Sequence, residues 1–509
     1  MPSIAVIGGG IGGLAAAIRL AGTGHEVTVL ERLPGVGGKL ATFERDGFRF
    51  ETGPSLLTLP AVFDGLLALA GTSLASACQP VALDPTCRYR FADGSGFETR
   101  ATLEATIDAV ESFSPGSGGR WRAFHEHGRR VWEVSERTFF AGPMESPMAL
   151  MSRMRSPHDL MAIDPLATLA QRAAAAFTDP RLRQWVGRYA TYAGSSPYRA
   201  PATLSCIPFI EQAHGCWYLG GGLGTLTGAL LSAAESLGAS VRTGCEVASI
   251  ETGPRGVTGV GLADGTFLPA DVVVSDADAH HLYRDLLPDG RRLRRVQRAG
   301  RSSSAFVLLA AVDGTTAGLA HHNVSFSADY RREFSQIFEE AAPPTDPTIY
   351  VCASSVTDPT QAPAGAENWF VLVNVPSGRH LDWPEIGPAY QEHLLGLLAA
   401  RGWDLSGRVR WSERITPADI EARYRSVGGA IYGSSSNGRR GAFLRAANRG
   451  PVPGLYLVGG SAHPGGGLPL VAIGGAIVAG MIEADLAGGG RRPSLAERGR
   501  RRSLDGRRT

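Results

Sequence analysis

Short hydrophobic runs bounded by glycine mark the N-terminal part of the chain. An apolar run at positions 4–7 leads into three spaced glycines, and a helix-compatible apolar run follows at 14–20. A second short run, 26–30, ends in an acidic residue. Short apolar runs of this kind predict buried parallel strands, and the longer run between them predicts a helix. The order strand, glycine turn, helix and strand therefore predicts a doubly wound α/β unit.

The glycine spacing in this unit is typical of dinucleotide binding. Gly8 permits a tight turn, Gly10 lets the backbone approach a pyrophosphate, and Gly13 allows close packing of the helix on the strand. The helix N-terminus then offers free N–H groups to the phosphates. Glu31 lies eighteen residues beyond Gly13, where its carboxylate can accept hydrogen bonds from a ribose. That carboxylate would repel a 2′-phosphate, so NADP is disfavoured, and both Glu31 and its neighbour Arg32 are candidate cofactor-binding residues.

Two further glycine-rich segments, 34–39 and 47–54, follow this acid. With the first motif they resemble the superfamily of flavin-dependent amine oxidases and carotenoid desaturases, in which a second Gly-Gly-Arg/Lys loop lies along the cofactor. The resemblance implies that the cofactor is FAD. It also implies four contact residues: Gly38, Lys39, Gly53 and Pro54. Lys39 is the only lysine of the chain, which is compatible both with selection for a compact charge near phosphate and with chance retention.

Two segments in the middle of the chain indicate a return to the same unit. Residues 220–250 contain a glycine turn, an amphipathic run and a short strand, and the dipeptide Asp264-Gly265 predicts a hairpin turn. The apolar run at 270–276 predicts another buried parallel strand. In the resembling family, the residue at Val247 clasps the adenine side of FAD through its backbone.

An uncharged stretch from Tyr456 to Ile482 closes the predicted unit. Its length permits a membrane span. Glycines and two prolines interrupt it, however, and a strand, loop and helix over the flavin is the favoured interpretation. The resemblance implies that this loop contacts FAD through Gly460, Ser461 and Pro469.

Two segments resemble the carotenoid side of the superfamily more than the amine oxidase side. Residues 459–469 resemble the terminal flavin motif of bacterial carotenoid desaturases of the phytoene desaturase type. Residues 187–204 resemble most the branch that desaturates carbons 3 and 4 of acyclic, often hydroxylated, carotenoids. The resemblance implies FAD-dependent 3,4-desaturation of a neurosporene-like or hydroxyneurosporene-like polyene, with hydride passing from an allylic CH–CH unit to flavin N5.

Three alternatives remain open. They are phytoene desaturation proper, flavin-dependent amine oxidation and a non-catalytic flavin-binding protein. The amine oxidase alternative loses support because that family commonly places a lysine near the flavin ring, whereas Lys39 lies in the wrong motif for this task.

The predicted fold class is α/β, with a Rossmann-like FAD-binding domain of the GR2 type and an interleaved α+β substrate-binding domain. A chain of 509 residues is too long for one ordinary core. The cofactor segments give a discontinuous FAD-binding domain built from 1–75, 215–285 and 450–488. The intervening stretches, 76–214 and 286–449, form a lobe that faces substrate and membrane, and 489–509 is expected to be a disordered Arg-rich tail.

Candidate substrate and catalytic residues are few. The resemblance and the aromatic content suggest a polyene tunnel lined by Arg188, Tyr189, Tyr192 and Trp217, although aromatic residues at such spacings are often core. His463 is a candidate for chemistry because its loop is expected to approach the flavin, and a structural role is equally open. No other catalytic residue is assigned.

Several remaining residues bear on membrane and metal binding. Five methionines between 144 and 161 form a soft apolar stretch that either meets a greasy ligand or membrane or belongs to the core. The pairs His280-His281 and His321-His322 lack carboxylate partners at metal-ligand spacing, so we expect them on the surface or in loops and predict no metal site. Six cysteines without a Cys-x-x-Cys pair indicate a reducing cytoplasm.

Charge and substrate chemistry suggest where the protein works. The net charge of +2 arises from the tail, which carries eight arginines, and no motif for nucleic-acid binding is present. The expected partners are a hydrophobic polyene and, as electron acceptor, a quinone or oxygen. Because such a polyene partitions into a bilayer, we expect a cytoplasmic protein peripherally associated with the inner face of the cell membrane.

Overall fold

The computed structural model describes residues 2–438, 441 and 445–488, so the predicted tail at 489–509 lies outside the described residues. The strands in chain order are β1 (Ser3–Ile7), β2 (Glu26–Leu30), β3 (Thr42–Arg45), β4 (Phe48–Glu51), β5 (Pro80–Ala82), β6 (Cys87–Arg90), β7 (Gly96–Thr99), β8 (Trp217–Leu219), β9 (Ser240–Arg242), β10 (Val247–Gly253), β11 (Gly256–Leu262), β12 (Phe267–Pro269), β13 (Val272–Ser275), β14 (Ser304–Asp313), β15 (His322–Ser325), β16 (Ile349–Cys352), β17 (Ala366–Val375), β18 (Val409–Ile415) and β19 (Leu455–Leu457). The helices are α1 (Ile11–Gly22), α2 (Pro60–Leu67), α3 (Leu74–Cys78), α4 (Leu103–Phe113), α5 (Gly118–Thr138), α6 (Pro147–Met151), α7 (Pro157–Ala162), α8 (Leu169–Ala176), α9 (Pro180–Arg188), α10 (Cys206–His214), α11 (Gly224–Ser236), α12 (Ala279–His281), α13 (Gly290–Arg298), α14 (Tyr330–Ser335), α15 (Trp383–Ala400), α16 (Pro417–Tyr424) and α17 (Leu468–Ala487).

A parallel sheet with the strand order β19, β13, β1, β2, β9 forms the first layer of the molecule. In β1, Ile4 pairs with Val272 on one side and with Val27 on the other. The predicted strands at 4–7, 26–30 and 270–276 are thereby confirmed, and so is the turn at Asp264-Gly265, which joins β11 to β12.

Both faces of this sheet are covered, as its continuous apolar strands require. Ile4 and Val6 belong to a core shared with α1, α11 and α17, whereas Ala5 and Ile7 belong to a core shared with the small sheet β10, β11, β12. The two-residue period of the strand separates these cores.

Helix α17 confirms the predicted strand, loop and helix near the C-terminus. By length and composition it is the one described helix able to cross a membrane. It nevertheless packs on α1, and Gly475 lies so close to Ala15 and Ala16 that an added Cβ would be 2.8 Å from the Ala16 nitrogen. The contact indicates a core helix.

A second sheet has seven strands in the order β18, β14, β17, β16, β15, β6, β7. All neighbouring pairs are antiparallel except β15 and β6. Along β14, Phe306 and Leu308 pack beneath α15, while Ala305 and Val307 face the opposite way. That opposite face becomes one wall of the candidate site.

The hairpin of β3 and β4 connects the two sheets. Its sequence lies within 1–75, which we assigned to the FAD-binding domain, yet Phe48 and Phe50 pack against Ala305 and Val307 of the seven-stranded sheet. The Asn368 amide also donates to the carbonyl of Arg49 at 2.6 Å. The aromatic face of the hairpin is therefore buried in the core of the seven-stranded sheet, while the domain boundary stays a prediction.

Helices α4, α5, α8, α9 and α10 cover the β6–β7 end of this sheet. Trp121 and Trp185 meet there with ring centroids 4.3 Å apart. Beyond this aromatic core, helices α6 and α7 carry the methionine-rich stretch, in which Met144 and Leu150 are buried. Met148 is 70% exposed and Met161 is 76% exposed.

Candidate active site

A cavity of ≈ 500 Å³ is lined by residues from both sheets. One wall consists of the carboxyl ends of β1, β2 and β13, where parallel α/β sheets place their ligands. The other wall consists of side chains from β14, β15 and β17. The cavity therefore joins a dinucleotide-type loop to the interleaved domain.

The glycine loop after β1 has the shape that its sequence predicts. Gly8 and Gly10 line the cavity, and Gly10 caps α1 without any side-chain hydrogen bond. A Cβ at Gly10 would collide with the Asp276 carboxylate, and a Cβ at Gly13 would collide with the carbonyl oxygen of Gly8. Gly13 lies outside the cavity lining and acts through helix–strand packing.

Glu31 and Arg32 lie beside this loop in the cavity wall. The Glu31 carboxylate accepts hydrogen bonds from the backbone N–H groups of Gly9 at 2.8 Å and Leu33 at 2.7 Å. The Arg32 guanidinium donates to the carbonyl oxygen of Arg423. The acid is thus fixed at the end of β2, next to the glycine turn.

Asp276 is a buried carboxyl at this loop that sequence reasoning missed. It follows β13 and lies against Gly8, Gly10, Gly12 and Gly459. Burial, together with the nearby Glu31 charge, raises the pKa of Asp276 to about 7. Its position at the end of the predicted parallel strand 270–276 was the available signal, because carboxyl ends of adjacent parallel strands converge.

Lys39 is partly buried and donates hydrogen bonds to backbone carbonyl and side-chain oxygens. Its ammonium donates to the Ile431 carbonyl at 2.9 Å and to Ser426 Oγ at 3.3 Å. Burial lowers the pKa of Lys39, while Asp278 and Asp276 act in the opposite direction. The lysine therefore ties the second glycine loop to residues 426–431.

The remaining predicted FAD contacts lie in the same wall. Gly38, Gly53, Pro54, Val247, Gly460, Ser461 and Pro469 all line the cavity. Ser461 Oγ also accepts the N–H of Ala279 at 2.9 Å, which joins the last strand–helix loop to α12. The structure thus gathers residues from four distant segments around one space. Their contacts with FAD stay predictions.

His463 lies outside the cavity lining. Its ring is buried against Phe139, with centroids 4.6 Å apart, and its Nε2 lies 3.2 Å from the carbonyl oxygen of Gly142. Burial lowers the pKa of His463 to about 4. These contacts give it a structural role, so the prediction of a chemical role is not supported by the geometry.

Two of the four predicted tunnel residues line the cavity, and two do not. Arg188 and Tyr192 are in its wall. Tyr189 is turned into the aromatic core, where its hydroxyl donates to Glu211 Oε2 at 3.0 Å. Trp217 packs on the core under the parallel sheet and donates its indole N–H to the His214 carbonyl at 2.8 Å. Both were misplaced because spacing along the chain does not tell which side of an element faces the ligand.

The wall between the two ends of the cavity is largely apolar. Side chains from the central strands of the seven-stranded sheet contribute Ala305, Val307, Val324, Phe370 and Leu372. Such a surface suits an extended hydrocarbon, and it excludes water from a reacting carbon.

The pair His321-His322 is not on the surface, where we expected it. Both residues are buried: His322 is the first residue of β15, and His321 immediately precedes the strand. His322 also lines the cavity. Tyr350 OH lies 2.8 Å from His322 Nδ1. Nitrogens of both rings and Cys352 Sγ lie within 4.8 Å of one another. This cluster could not be predicted from the sequence, because Cys352 and His322 are brought together only by the pairing of β15 with β16.

The donors of the first wall fit FAD. The loop at Gly10 has no room for a Cβ, and the N-terminus of α1 has no side-chain cap, so both can accept a diphosphate. The Glu31 carboxylate is held near this loop, where it can bind a ribose. The opposite wall offers apolar strand side chains together with polar groups, among them Arg188, Glu211 and Glu333.

Comparisons with known proteins give the same picture. The sequence profile of the flavin containing amine oxidoreductase family matches residues 11–487. The chain is 35% identical to a 4,4′-diapolycopene oxygenase of Methylomonas sp over 95% of its own length and 98% of that protein. It is 32% identical to a 4,4′-diaponeurosporene oxygenase of Staphylococcus haemolyticus, with coverage of 94% and 97%.

Solved structures share the fold. An oxidoreductase from Methanosarcina mazei aligns with a TM-score of 0.64 at 19% identity, covering 94% of this chain and all of the other. Putrescine oxidase bound to putrescine aligns with a TM-score of 0.63 at 16% identity, covering 95% and 99%.

Proposed function

The chain belongs to the family of flavin-containing amine oxidoreductases and is an FAD-dependent oxidoreductase, and we propose that it oxidises an acyclic carotenoid near one end of the polyene. One observation carries the proposal. The same cavity is lined by the dinucleotide loops and by apolar side chains of β14, β15 and β17, and Arg188 is also in its wall.

The roles of the chain's own residues follow from this wall. The strand side chains hold an extended polyene by dispersion and burial, and they keep water from its reacting end. FAD, when bound, supplies the hydride acceptor. The Lys39 ammonium donates a hydrogen bond to the Ile431 carbonyl oxygen at 2.9 Å. This contact argues against Lys39 serving as the lysine that amine oxidases place near the flavin ring.

Two oxidation reactions near the end of the polyene are candidates. The named relatives are oxygenases of 4,4′-diapolycopene and 4,4′-diaponeurosporene, and their similarity over nearly the whole chain favours insertion of oxygen into the polyene. We propose a terminal methyl group as the reacting site and an aldehyde as the product. In this reaction O₂ supplies one oxygen atom to the aldehyde and the other leaves as water. The resemblance of residues 187–204 instead favours 3,4-desaturation, which passes a hydride to the flavin and a proton to solvent, with a quinone or oxygen as final acceptor.

Product analysis separates these reactions. Purified FAD-loaded protein is given acyclic polyenes in detergent under ¹⁸O₂, and products are analysed by mass spectrometry. Terminal oxidation gives an aldehyde that carries ¹⁸O, whereas desaturation gives a product lighter by two hydrogens without label. No change in any polyene, together with oxidation of an amine, would overturn the proposal.

We also propose that the protein docks on the cytoplasmic surface of a membrane through a methionine patch on α6, α7 and the following loop. This patch consists of Met148, Met151, Leu160, Met161 and Leu166, which are all exposed. The preceding segment is tied to the flavin-side loop, because the Gly142 carbonyl lies 3.2 Å from His463 Nε2. A bilayer suits these unbranched apolar side chains and also dissolves the polyene.

Liposome cosedimentation tests the docking surface. Replacing Met148, Met151 and Met161 by serine should weaken liposome binding by at least about tenfold, since each methionine contributes apolar area. Phe267→Ser, which removes an exposed apolar side chain from β12, is the matched control. Equal sedimentation of the triple variant and the wild type would contradict this surface.

A further inference from the structure

Arg188 is a partly buried cation with few partners. It ends α9 and lines the cavity, and its Nη1 donates to Tyr89 OH at 3.4 Å and Tyr192 OH at 3.5 Å. Both distances are long for hydrogen bonds. The guanidinium also lies 5.6 Å and 5.3 Å from the centroids of these two rings. In the described part of the chain no carboxylate forms an ion pair with it.

The nearest acid does not satisfy this cation directly. Glu211 also lines the cavity, and its two oxygens accept the hydroxyl groups of Tyr189 and Tyr192. Burial raises the pKa of Glu211. Tyr192 thus stands between the acid and Arg188, and the guanidinium keeps most of its five N–H donors for another acceptor.

A buried arginine elsewhere in the fold, Arg445, shows what a purely structural cation looks like in this protein. Arg445 donates to three backbone carbonyls: Ser434 at 2.8 Å, Gly460 at 2.6 Å and Tyr432 at 3.0 Å. Arg445 therefore holds its loops together through short bonds. Arg188 has no comparable set, although burying a cation without partners is costly.

We propose that Arg188, with Tyr192 and Glu211 behind it, forms a subsite for an oxygen-bearing end of the polyene. The proposal rests on the proposed function. A hydroxyl or aldehyde oxygen in the cavity accepts the free guanidinium N–H groups, while the apolar strands hold the hydrocarbon. We assign a neutral oxygen, because the groups that meet the guanidinium are the neutral hydroxyls of Tyr89 and Tyr192 and because an acid, Glu211, already lies behind Tyr192.

The consequence is a preference among substrates. Polyenes that already carry oxygen at one end bind better than hydrocarbons of equal length. The protein therefore acts on the product of a reaction that adds oxygen to the polyene, whether another enzyme or this protein itself carries out that first reaction. A charge-assisted hydrogen bond in a dry site corresponds to about ten- to hundredfold in affinity.

Binding without turnover tests the subsite. Anaerobic protein with reduced FAD is titrated in micelles with three acyclic polyenes of equal length that end in a hydrocarbon, an aldehyde or a carboxylate. The wild type should bind the aldehyde at least about tenfold more tightly than the hydrocarbon, and a hydrogen bond to the carbonyl should shift the polyene absorption to longer wavelength. Arg188→Met should lose both the preference and the shift, and Arg188→Lys should keep part of them.

Arg331→Met is the matched control, because Arg331 also stacks on a tyrosine, Tyr198 at 4.0 Å, but lies outside the cavity lining. Equal wild-type affinity for aldehyde and hydrocarbon, or an unchanged preference in Arg188→Met, would overturn the subsite. Tightest binding of the carboxylate would overturn the neutral-oxygen assignment.

If Arg188→Met fails to fold, the wild-type preference and the absorption shift in Arg188→Lys decide. Because no turnover is measured, a protein that binds as expected but oxidises no polyene would count against the proposed function alone.

Discussion

The two ends of the cavity are built in opposite ways. At the dinucleotide end, backbone groups of glycine loops line the space, and Glu31 is held by the N–H groups of Gly9 and Leu33. At the other end, where we propose that the polyene binds, side chains from strands and helices form the wall, and Arg188 lacks close partners. A Cβ at Gly10 or Gly13 would collide with neighbouring atoms, whereas a wall of side chains can change its shape by substitution. We therefore expect substitutions at the first end to affect cofactor binding and substitutions at the second end to affect substrate binding.

The largest expected effect comes from adding side-chain atoms at the dinucleotide end. Gly10→Val should abolish FAD retention, because the new side chain would collide with Asp276 and fill the place where backbone meets pyrophosphate. The flavin content of purified protein, read from its absorption, checks this. Gly65→Val in α2, where no atom lies near an added Cβ, is the control and should keep its flavin. Normal flavin content in Gly10→Val would contradict the assignment of this end.

A smaller, pH-dependent effect is expected at Asp276. Burial raises its pKa to about 7 in the folded protein, above the ordinary value of 3.8. The folded state therefore holds its proton more tightly than the unfolded state, and this contribution to stability is lost as the pH rises from about 4 through 7. Each unit of pKa shift corresponds to about 1.4 kcal/mol.

Denaturant unfolding of the apoprotein between pH 5 and 8 measures this loss. Asp276→Asn should show a flatter dependence than the wild type, because the neutral amide cannot ionise. Equal slopes in the two proteins would show that Asp276 does not titrate in this range.

The smallest expected effect is at a residue that sequence spacing misplaced. Trp217→Phe should leave polyene binding unchanged, since Trp217 lies outside the cavity lining. It should cost on the order of 1 kcal/mol of unfolding free energy through the lost bond to the His214 carbonyl. Parallel titrations and denaturant curves check both values. A loss of polyene affinity would place Trp217 at the substrate end after all.

Much of the dinucleotide end was predictable, and little of the polyene end was. Gly8, Gly10 and Glu31 lie within one strand–helix–strand unit, so local spacing sets their relation. Asp276 was missed there because it follows a strand about 268 residues further along the chain, which is adjacent to β1 only in the sheet (Val272 pairs with Ile4). At the polyene end, Tyr189 and Tyr192 differ by three positions, yet one faces the core and the other the cavity.

By itself the sequence determined the parallel α/β unit, its glycine turns and the family, because short-range patterns of apolar, glycine and acidic residues encode backbone conformation directly. The tertiary structure alone decided which side chains meet across the cavity. It buried His321 and His322 beside Cys352 through strand pairing, and it placed the Glu211 carboxylate behind Tyr192 rather than on Arg188. Such contacts join residues far apart in the chain, and their energies depend on packing and burial that no local pattern records.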